Sequence, residues 1–259
     1  MSYFFDGTSA GSLITFGEGA VVQYPFTISA WVYPLRTNVD ETIGMLRAPN
    51  GDAWRLTLAG ATAPSKATAF SFTASGSLNN SAVSAANYVA NKWQFMMARF
   101  DSNTNRVVFL DTAAASNTNN SSQTGGNTIS SLYVGTDAGG RRFRGYISDF
   151  SVRWSRTTGT PALVNFEATA RLYSKQSPLK VRGSNVVVYW PMTSPGPQKN
   201  RAPNGFNLIL PPNAATSYAP GIDPRVQQLA DPQRIFADQL ITQNIPILYR
   251  QRQMQGMAA

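Results

Sequence analysis

Apolar and polar residues alternate along most of this chain in short bursts, each closed by turn-forming residues. The clearest burst is residues 25–34, where Phe26, Ile28, Ala30 and Val32 alternate with Thr27, Ser29, Trp31 and Tyr33. A period of two belongs to a β-strand, here with one aliphatic face and one face of hydroxyls and large aromatics. Pro25 and Pro34 close the burst, where a missing N–H does least harm to a ladder. Bulk on both faces predicts a central strand in a sheet that packs on a second sheet.

The same alternation predicts strands at residues 3–5, 12–16, 42–46, 53–58, 69–73, 93–100, 106–111, 132–135, 143–154, 185–190 and 206–210. Asn50-Gly51 is a hairpin signal between two of them, and the polar run 101–105 joins 93–100 to 106–111. The strand at 12–16 is expected to end at Gly17-Glu18-Gly19. Residues 36–41 and the low-complexity stretch 113–127 are expected to be surface loops, the second because its Ala, Ser, Thr, Asn, Gln and Gly have nothing to bury. Residues 161–170 read as a short helix with Leu163, Phe166 and Ala170 on one face. From residue 211 the alternation stops and prolines crowd. Asp223-Pro224 and Asp231-Pro232 each look like an N-cap followed by the first residue of a short helix. Many short strands with turn signals roughly every 8–12 residues, and almost no helix between them, predict an all-β fold. The expected architecture is a two-sheet antiparallel jelly-roll sandwich over residues 1–212, followed by a mostly irregular C-terminal arm with short helices over 213–259.

Composition narrows the chemistry. The 259 residues include no cysteine and no histidine. That removes disulfides, thiolate nucleophiles, the usual zinc ligands, the usual general base and any Ser-His-Asp triad. The formal net charge is +9, and residues 141–182 hold nine Lys or Arg against Asp149 and Glu167. Such a field suits nucleic acid, lipid headgroups or an acidic protein surface. No nucleic-acid motif accompanies it, so Arg141, Arg142 and Arg144 are expected to form a subunit interface and nucleic acid is not expected as a partner. The N-terminus lacks the basic and apolar regions of a secretory signal, and no apolar run approaches the roughly 18–20 residues of a membrane span. Synthesis in a cytoplasm, with no membrane partner, is expected.

Several segments, in order, resemble a known family. Phe5-Asp6-Gly7 and residues 25–34 resemble the opening of the laminin-G-like, concanavalin A-like lectin jelly roll. Residues 93–111 resemble its central hairpin, residues 132–135 and 143–152 its closing strands, and the helix at 161–170 sits where the family often has one. Tyr189-Trp190-Pro191-Met192, with residues 200–205 and Leu208, resembles the segment that often begins such a domain. Here it comes last, so residues 186–210 are expected to join the same sandwich in a rearranged strand order.

The resemblance implies three chemistries to weigh. Some relatives hydrolyse glucans with carboxylates at alternate positions of one strand, which places them on one face. Glu18, Glu41 and Glu167 are isolated, so no catalytic residues and no enzyme are expected. Calcium is bound by some laminin-G-like domains, and Asp6, Asp101, Asp111 and Asp137 are the candidate ligands. No compact run supplies several oxygens, and isolated turn aspartates more often cap backbone N–H groups, so no metal or cofactor is expected. Glycan binding needs an aromatic platform with Asn, Asp and backbone groups. Trp54, Tyr88 and Trp154, with the Asn-rich loop 117–127, are the candidates, although a single tryptophan is more often a core or interface residue.

The arm is too short and too proline-rich for a core of its own. It still carries Ile235, Phe236, Leu240, Ile241, Ile245, Ile247, Leu248 and Tyr249, which need a surface, either their own sandwich or another subunit. Residues 245–249 suit addition as a strand to a neighbour's sheet edge. A lectin-like jelly roll with an apolar arm, no cysteine and no export signal resembles a bacteriophage virion structural protein. That resemblance implies a non-enzymatic capsid decoration, tail or fibre component, located in the virion and forming a homo-oligomer. The arm and the basic residues would hold it to other virion structural proteins. The alternative is a carbohydrate-binding module that recognises a cell-surface polysaccharide.

Overall fold

The structure, a computed structural model, describes residues 2–8, 12–21, 24–60, 65–73, 80–111, 113–118, 128–154, 186–192 and 201. All of them fall within the unit Met1–Ala219. They form strands β1 (Tyr3–Asp6), β2 (Ser12–Val21), β3 (Phe26–Pro34), β4 (Glu41–Arg47), β5 (Ala53–Ala59), β6 (Lys66–Phe72), β7 (Asn80–Val83), β8 (Gln94–Phe100), β9 (Asn105–Leu110), β10 (Ala113–Thr118), β11 (Thr128–Val134), β12 (Arg144–Trp154) and β13 (Val186–Trp190), with no helix among the described residues. The fold is all-β: two antiparallel sheets stacked as a jelly-roll sandwich. Sheet I runs β1-β12-β3-β8-β9-β10, with β13 also on β12; sheet II runs β2-β11-β4-β5-β6-β7.

The alternation in residues 25–34 does what its two bulky faces predict. β3 lies in the middle of sheet I, with Ile28 opposite Val152 of β12 on one side and Ala98 of β8 on the other. Its aliphatic face joins Met96, Ala98 and Phe100 of β8, and Trp54, Leu56 and Leu58 of β5, in the core between the sheets. Phe26 stacks on Phe100 at 4.8 Å and meets Trp54 edge-on at 5.7 Å, bonding the two sheets through aromatic contact. Each such fully buried side chain contributes about 1.5–3 kcal/mol of transfer free energy.

The outward face of sheet I is also buried. Trp31 packs against the cluster of Phe95, Met97, Val107 and Phe109, and Tyr33, Trp93 and Tyr146 form a second cluster with Phe4 and Leu35. Phe95 and Met97 are 0% exposed, while Trp31, Phe4 and Leu35 are half-buried.

β12 is shared between two short partners. β1 pairs with it up to Ile147 and β13 from Phe150 onward. Between them the ladder with β3 slips at Ser148/Ser151, where Asp149 adopts a φ of 51°. This bulge hands one edge of β12 from the first strand of the chain to the last described one. Residues 186–190 thus enter the same sandwich, as the rearranged order predicts. Gly145 opens the tight part of β12 with a φ of 150°, and a Cβ there would collide with the Tyr33 carbonyl oxygen and the Phe143 ring.

Several expectations need correction. Residues 113–118, expected to be loop, form β10, because edge pairing asks only for backbone groups, and Ala113–Thr118 supplies them opposite β9. β7 (Asn80–Val83), not expected at all, pairs with β6 in the same way. β2 continues through Gly17-Glu18-Gly19 to Val21, and a register shift between Ile129 and Ser131 of β11 accommodates it. β6 and β11 each begin several residues earlier than their apolar alternation suggests. The expected helix at 161–170, the strand at 206–210, the boundary at 212 and the arm lie outside the described residues.

Candidate functional site

The outward face of sheet II differs from that of sheet I. In β5, Trp54, Leu56 and Leu58 point inward, so Arg55 and Thr57 point out. Register places Tyr133, Met45, Arg55, Phe70 and Ser81 in one row across β11, β4, β5, β6 and β7. Thr42, Thr57, Thr68 and Val83 form a neighbouring row. Phe70, Phe72 and Tyr133 are half-buried and Val83 is 40% exposed, so rings reach the surface here, while Thr42, Thr57 and Thr68 are buried.

Arg55 is the hinge of this face. Its guanidinium lies 4.3 Å from the centre of the Phe70 ring and 5.1 Å from that of Phe72, within cation–π range. Nη1 donates to Asp137 Oδ2 at 2.7 Å, while the buried Nε has no partner. Burial, then the neighbouring Arg141 charge, lower its pKa, and Asp137 opposes both.

Asp137 sits in the turn between β11 and β12, held by Gly140 N–H donating to its own carbonyl at 3.2 Å and Phe143 N–H donating to the Gly135 carbonyl at 2.9 Å. Its Oδ1 accepts from the N–H groups of Gly139 (2.9 Å) and Arg141 (3.0 Å). Its Oδ2 accepts from Arg55, from the Thr42 hydroxyl (3.2 Å) and from Arg141 Nη1 (3.3 Å). Burial alone would raise this carboxyl's pKa, but the Arg141 N–H and the Arg55 charge outweigh it and hold the group ionised below its ordinary range.

The adjoining edge is built on Glu41, at the start of β4 and 0% exposed. Its Oε1 accepts from Arg36 Nε and from the Arg144 N–H (3.1 Å), and its Oε2 has no partner. Burial pushes its pKa up to about 7 against the pull of Arg36. Arg36 Nη2 donates to the Arg142 carbonyl at 3.1 Å, and Leu35 N–H to the Arg144 carbonyl at 3.0 Å. An isolated bridge between Thr42 and Arg142 completes the tie between the edge and β4.

Arg141, Arg142 and Arg144 are exposed at the entry to β12, with Arg141 on Asp137, Arg142 on the Thr8 carbonyl and Arg144 opposite Asp6 of β1. The glycan candidates are not. Trp54 is 1% exposed, inside the core, donating to the Tyr24 hydroxyl at 3.0 Å, and Tyr88 is 2% exposed in the same core. Neither ring offers a platform, because each fills the space between the sheets. Trp154 ends β12 opposite Phe26 in register, and its side chain lies outside the described ones. Of the loop 117–127, Asn117 and Thr118 belong to β10 and residues 119–127 lie outside the described residues, as do Ile235, Phe236, Ile241, Ile245, Ile247, Leu248 and Tyr249. The four candidate aspartates sit in separate turns: Asp6 accepts from Thr8 N–H, Asp101 pairs with Arg99, and Asp111 accepts from Phe95 N–H. Among the described residues no three Asp or Glu gather as a metal site. Arg55, Phe70, Phe72 and Thr42 were not singled out in sequence as site residues, and Glu41 was weighed only as an isolated carboxylate. The available signal was an arginine in strict alternation between Trp54 and Leu56 on a strand buried on its other face.

The sequence profile of the laminin-G-type group described as the concanavalin A-like lectin/glucanases superfamily matches residues 6–160. No curated protein matches the chain. Among solved structures, a candidate carbohydrate binding protein from Bacteroides ovatus is similar with a TM-score of 0.50 and 16% identity, over 80% of this chain and 57% of that one. A heptameric SAP-like pentraxin from Limulus polyphemus gives 0.49 at 11% identity, over 64% and 81%. The CBM40 domain of a Ruminococcus gnavus IT-sialidase, bound to α2,3 sialyllactose, gives 0.46 at 14%, over 66% and 98%. At 16% identity the Bacteroides ovatus structure speaks to the fold alone.

Proposed function

Because this chain belongs to the concanavalin A-like lectin/glucanases superfamily, we propose that it acts as a non-enzymatic carbohydrate-binding module whose ligand lies on the outward face of sheet II. The observation that carries this reading is the sheet II face on which half-buried Phe70 and Phe72 flank Arg55, with half-buried Tyr133 two strands along the Arg55 row. Rings of this kind stack on the apolar faces of sugars. Catalysis is not part of the reading. Glu41 is fully buried and Asp137 is neutralised by two arginines, so neither is free to protonate a glycosidic oxygen or attack an anomeric carbon. The test is a glycan array on the whole chain and on Phe70→Ala. Hits that weaken at least tenfold in the variant support the reading, and an array with no hits overturns it.

A second reading places this module in a bacteriophage virion as a decoration, tail or fibre component, a homo-oligomer bound to other virion proteins. The large apolar residues of the arm, among them Ile235, Phe236, Ile241 and Leu248, favour it, since they follow the matched domain and need a surface. Light scattering on the whole chain and on a chain ending at residue 219 tests it. Two monomers of the same solubility would count against an assembling arm.

A further inference from the structure

We propose that the outward face of sheet I is the seat of the chain's own β12–β13 connection, residues 155–185, with Leu163 and Phe166 laid over Met97 and Phe109 and Glu167 paired with Arg153. An outward sheet face is ordinarily solvated. Here Ser29 and Met97 are 0% exposed, Thr27 and Ser151 1%, and Arg99 and Arg153 7%. Register sets them in two neighbouring rows, Arg153-Thr27-Arg99-Val107 and Tyr189-Ser151-Ser29-Met97-Phe109. Every described strand belongs to one of the two sheets, and sheet II packs on the opposite side. Thr27, Ser29, Arg99, Ser151, Arg153 and Tyr189 each have an interaction partner besides those described. The cover is therefore another part of this chain.

Position, pattern and charge select residues 155–185. Arg153 faces Val186 across the β12–β13 ladder, so both ends of the segment emerge beside the Arg153-Thr27-Arg99 row. Two antiparallel neighbours need only about 2–5 linking residues, so a connection from Trp154 to Val186 has length to spare for crossing the sheet. Within it, Leu163, Phe166, Glu167 and Ala170 share one face at helical spacing. That stripe, apolar with one acid, matches a surface of Met97 and Phe109 beside buried arginines. Arg99 is already paired with Asp101 at 2.8 Å. A buried guanidinium such as Arg153 needs an anion or acceptors of its own, and Glu167 is the only carboxylate between residues 155 and 185. The chain beyond β13 takes another course. Arg201 N–H donates to the Tyr189 carbonyl at 3.0 Å, so it turns back alongside β13 instead of crossing the face. The seat makes residues 155–185 part of the domain, although the family profile stops at residue 160.

The experiment places a benzophenone-bearing phenylalanine analogue at Phe166 of the whole chain and, in a second preparation, at Phe236. After irradiation and digestion, the probe at Phe166 is expected to be linked within the same chain to the peptide carrying Met97 or Phe109, and the probe at Phe236 to neither. A link to those peptides from Phe236 and not from Phe166 overturns the proposal in favour of the arm. A link between chains overturns it in favour of a second copy, and no link from Phe166 to either peptide overturns it outright. A charge swap checks the ion pair. Arg153→Glu and Glu167→Arg should each raise the unfolding equilibrium constant about tenfold or more in urea titrations, and the two together should recover at least about tenfold of the combined loss. Strictly additive losses overturn the pairing. Where Arg153→Glu does not fold, Arg153→Met with Glu167→Gln supplies the same cycle. None of these results touches the sheet II reading, so the two proposals fail separately.

Discussion

Glu41 ties stability to pH in the direction opposite to most carboxylates. In the unfolded chain it gives up its proton near 4.5, whereas in the folded chain burial holds the proton until about 7. Between those values the native state binds more protons than the unfolded state, so stability falls as pH rises through the window and levels off above it. A gap from 4.5 to about 7, at about 1.4 kcal/mol per pH unit, is worth about 3 kcal/mol. For a domain of this size that corresponds to a fall in melting temperature of about 6–12 °C. Asp137 does not blur the result. Its folded pKa is depressed, so its contribution is complete above the ordinary carboxylate range and is lost only at lower pH. The perturbation is Glu41→Gln, which keeps a carbonyl oxygen for Arg36 and the Arg144 N–H but cannot titrate. Circular dichroism melts of parent and variant, at fixed ionic strength from pH 4.5 to 8, should converge or cross as the parent loses stability and the variant does not. Parallel curves across that range would refute the assignment of this proton to Glu41.

Other consequences follow from the same contacts. Arg55→Leu should cost about 2–3 kcal/mol in urea unfolding, less than a fully orphaned buried charge because Arg141 and Thr42 remain on Asp137, and adding Asp137→Leu should restore part of it. Gly145→Ala should cost about 2–4 kcal/mol by the same measurement, from positive φ and collision with the Tyr33 carbonyl. Trp54→Ala should lower stability by about 3–5 kcal/mol as a core truncation, and a variant with lost glycan affinity but unchanged stability would show that the ring is a platform after all.

The fold was legible because strand alternation is a local signal. Phe26, Ile28, Ala30 and Val32 declare their face without help from distant residues, and β3 sits where its two bulky faces require. β7 and β10 were not legible, since Asn80–Val83 and Ala113–Thr118 pair through backbone groups that every residue carries. Trp54 and Tyr88 misled for the opposite reason. A tryptophan in an alternating strand has the same sequence appearance whether it faces sugar or core, and only the packing of Phe26 and Tyr24 around Trp54 decides. The site itself joins Arg55 of β5, Thr42 of β4 and Asp137 beyond β11, which are separated by up to 95 positions and meet only through sheet register. The three arginines at 141–144 were visible as charge, but their fixed backbone depends on Glu41 and Arg36, a hundred residues away.

The most direct test of the account is to map a bound glycan on the protein. Amide chemical-shift changes in a labelled chain, titrated with an oligosaccharide from the array, should be largest at β5, β6 and residues 137–144, around Arg55, Phe70 and Arg141. Changes clustered instead on the outward face of sheet I, around Trp31 and Phe95, or absent at saturating ligand, would contradict it.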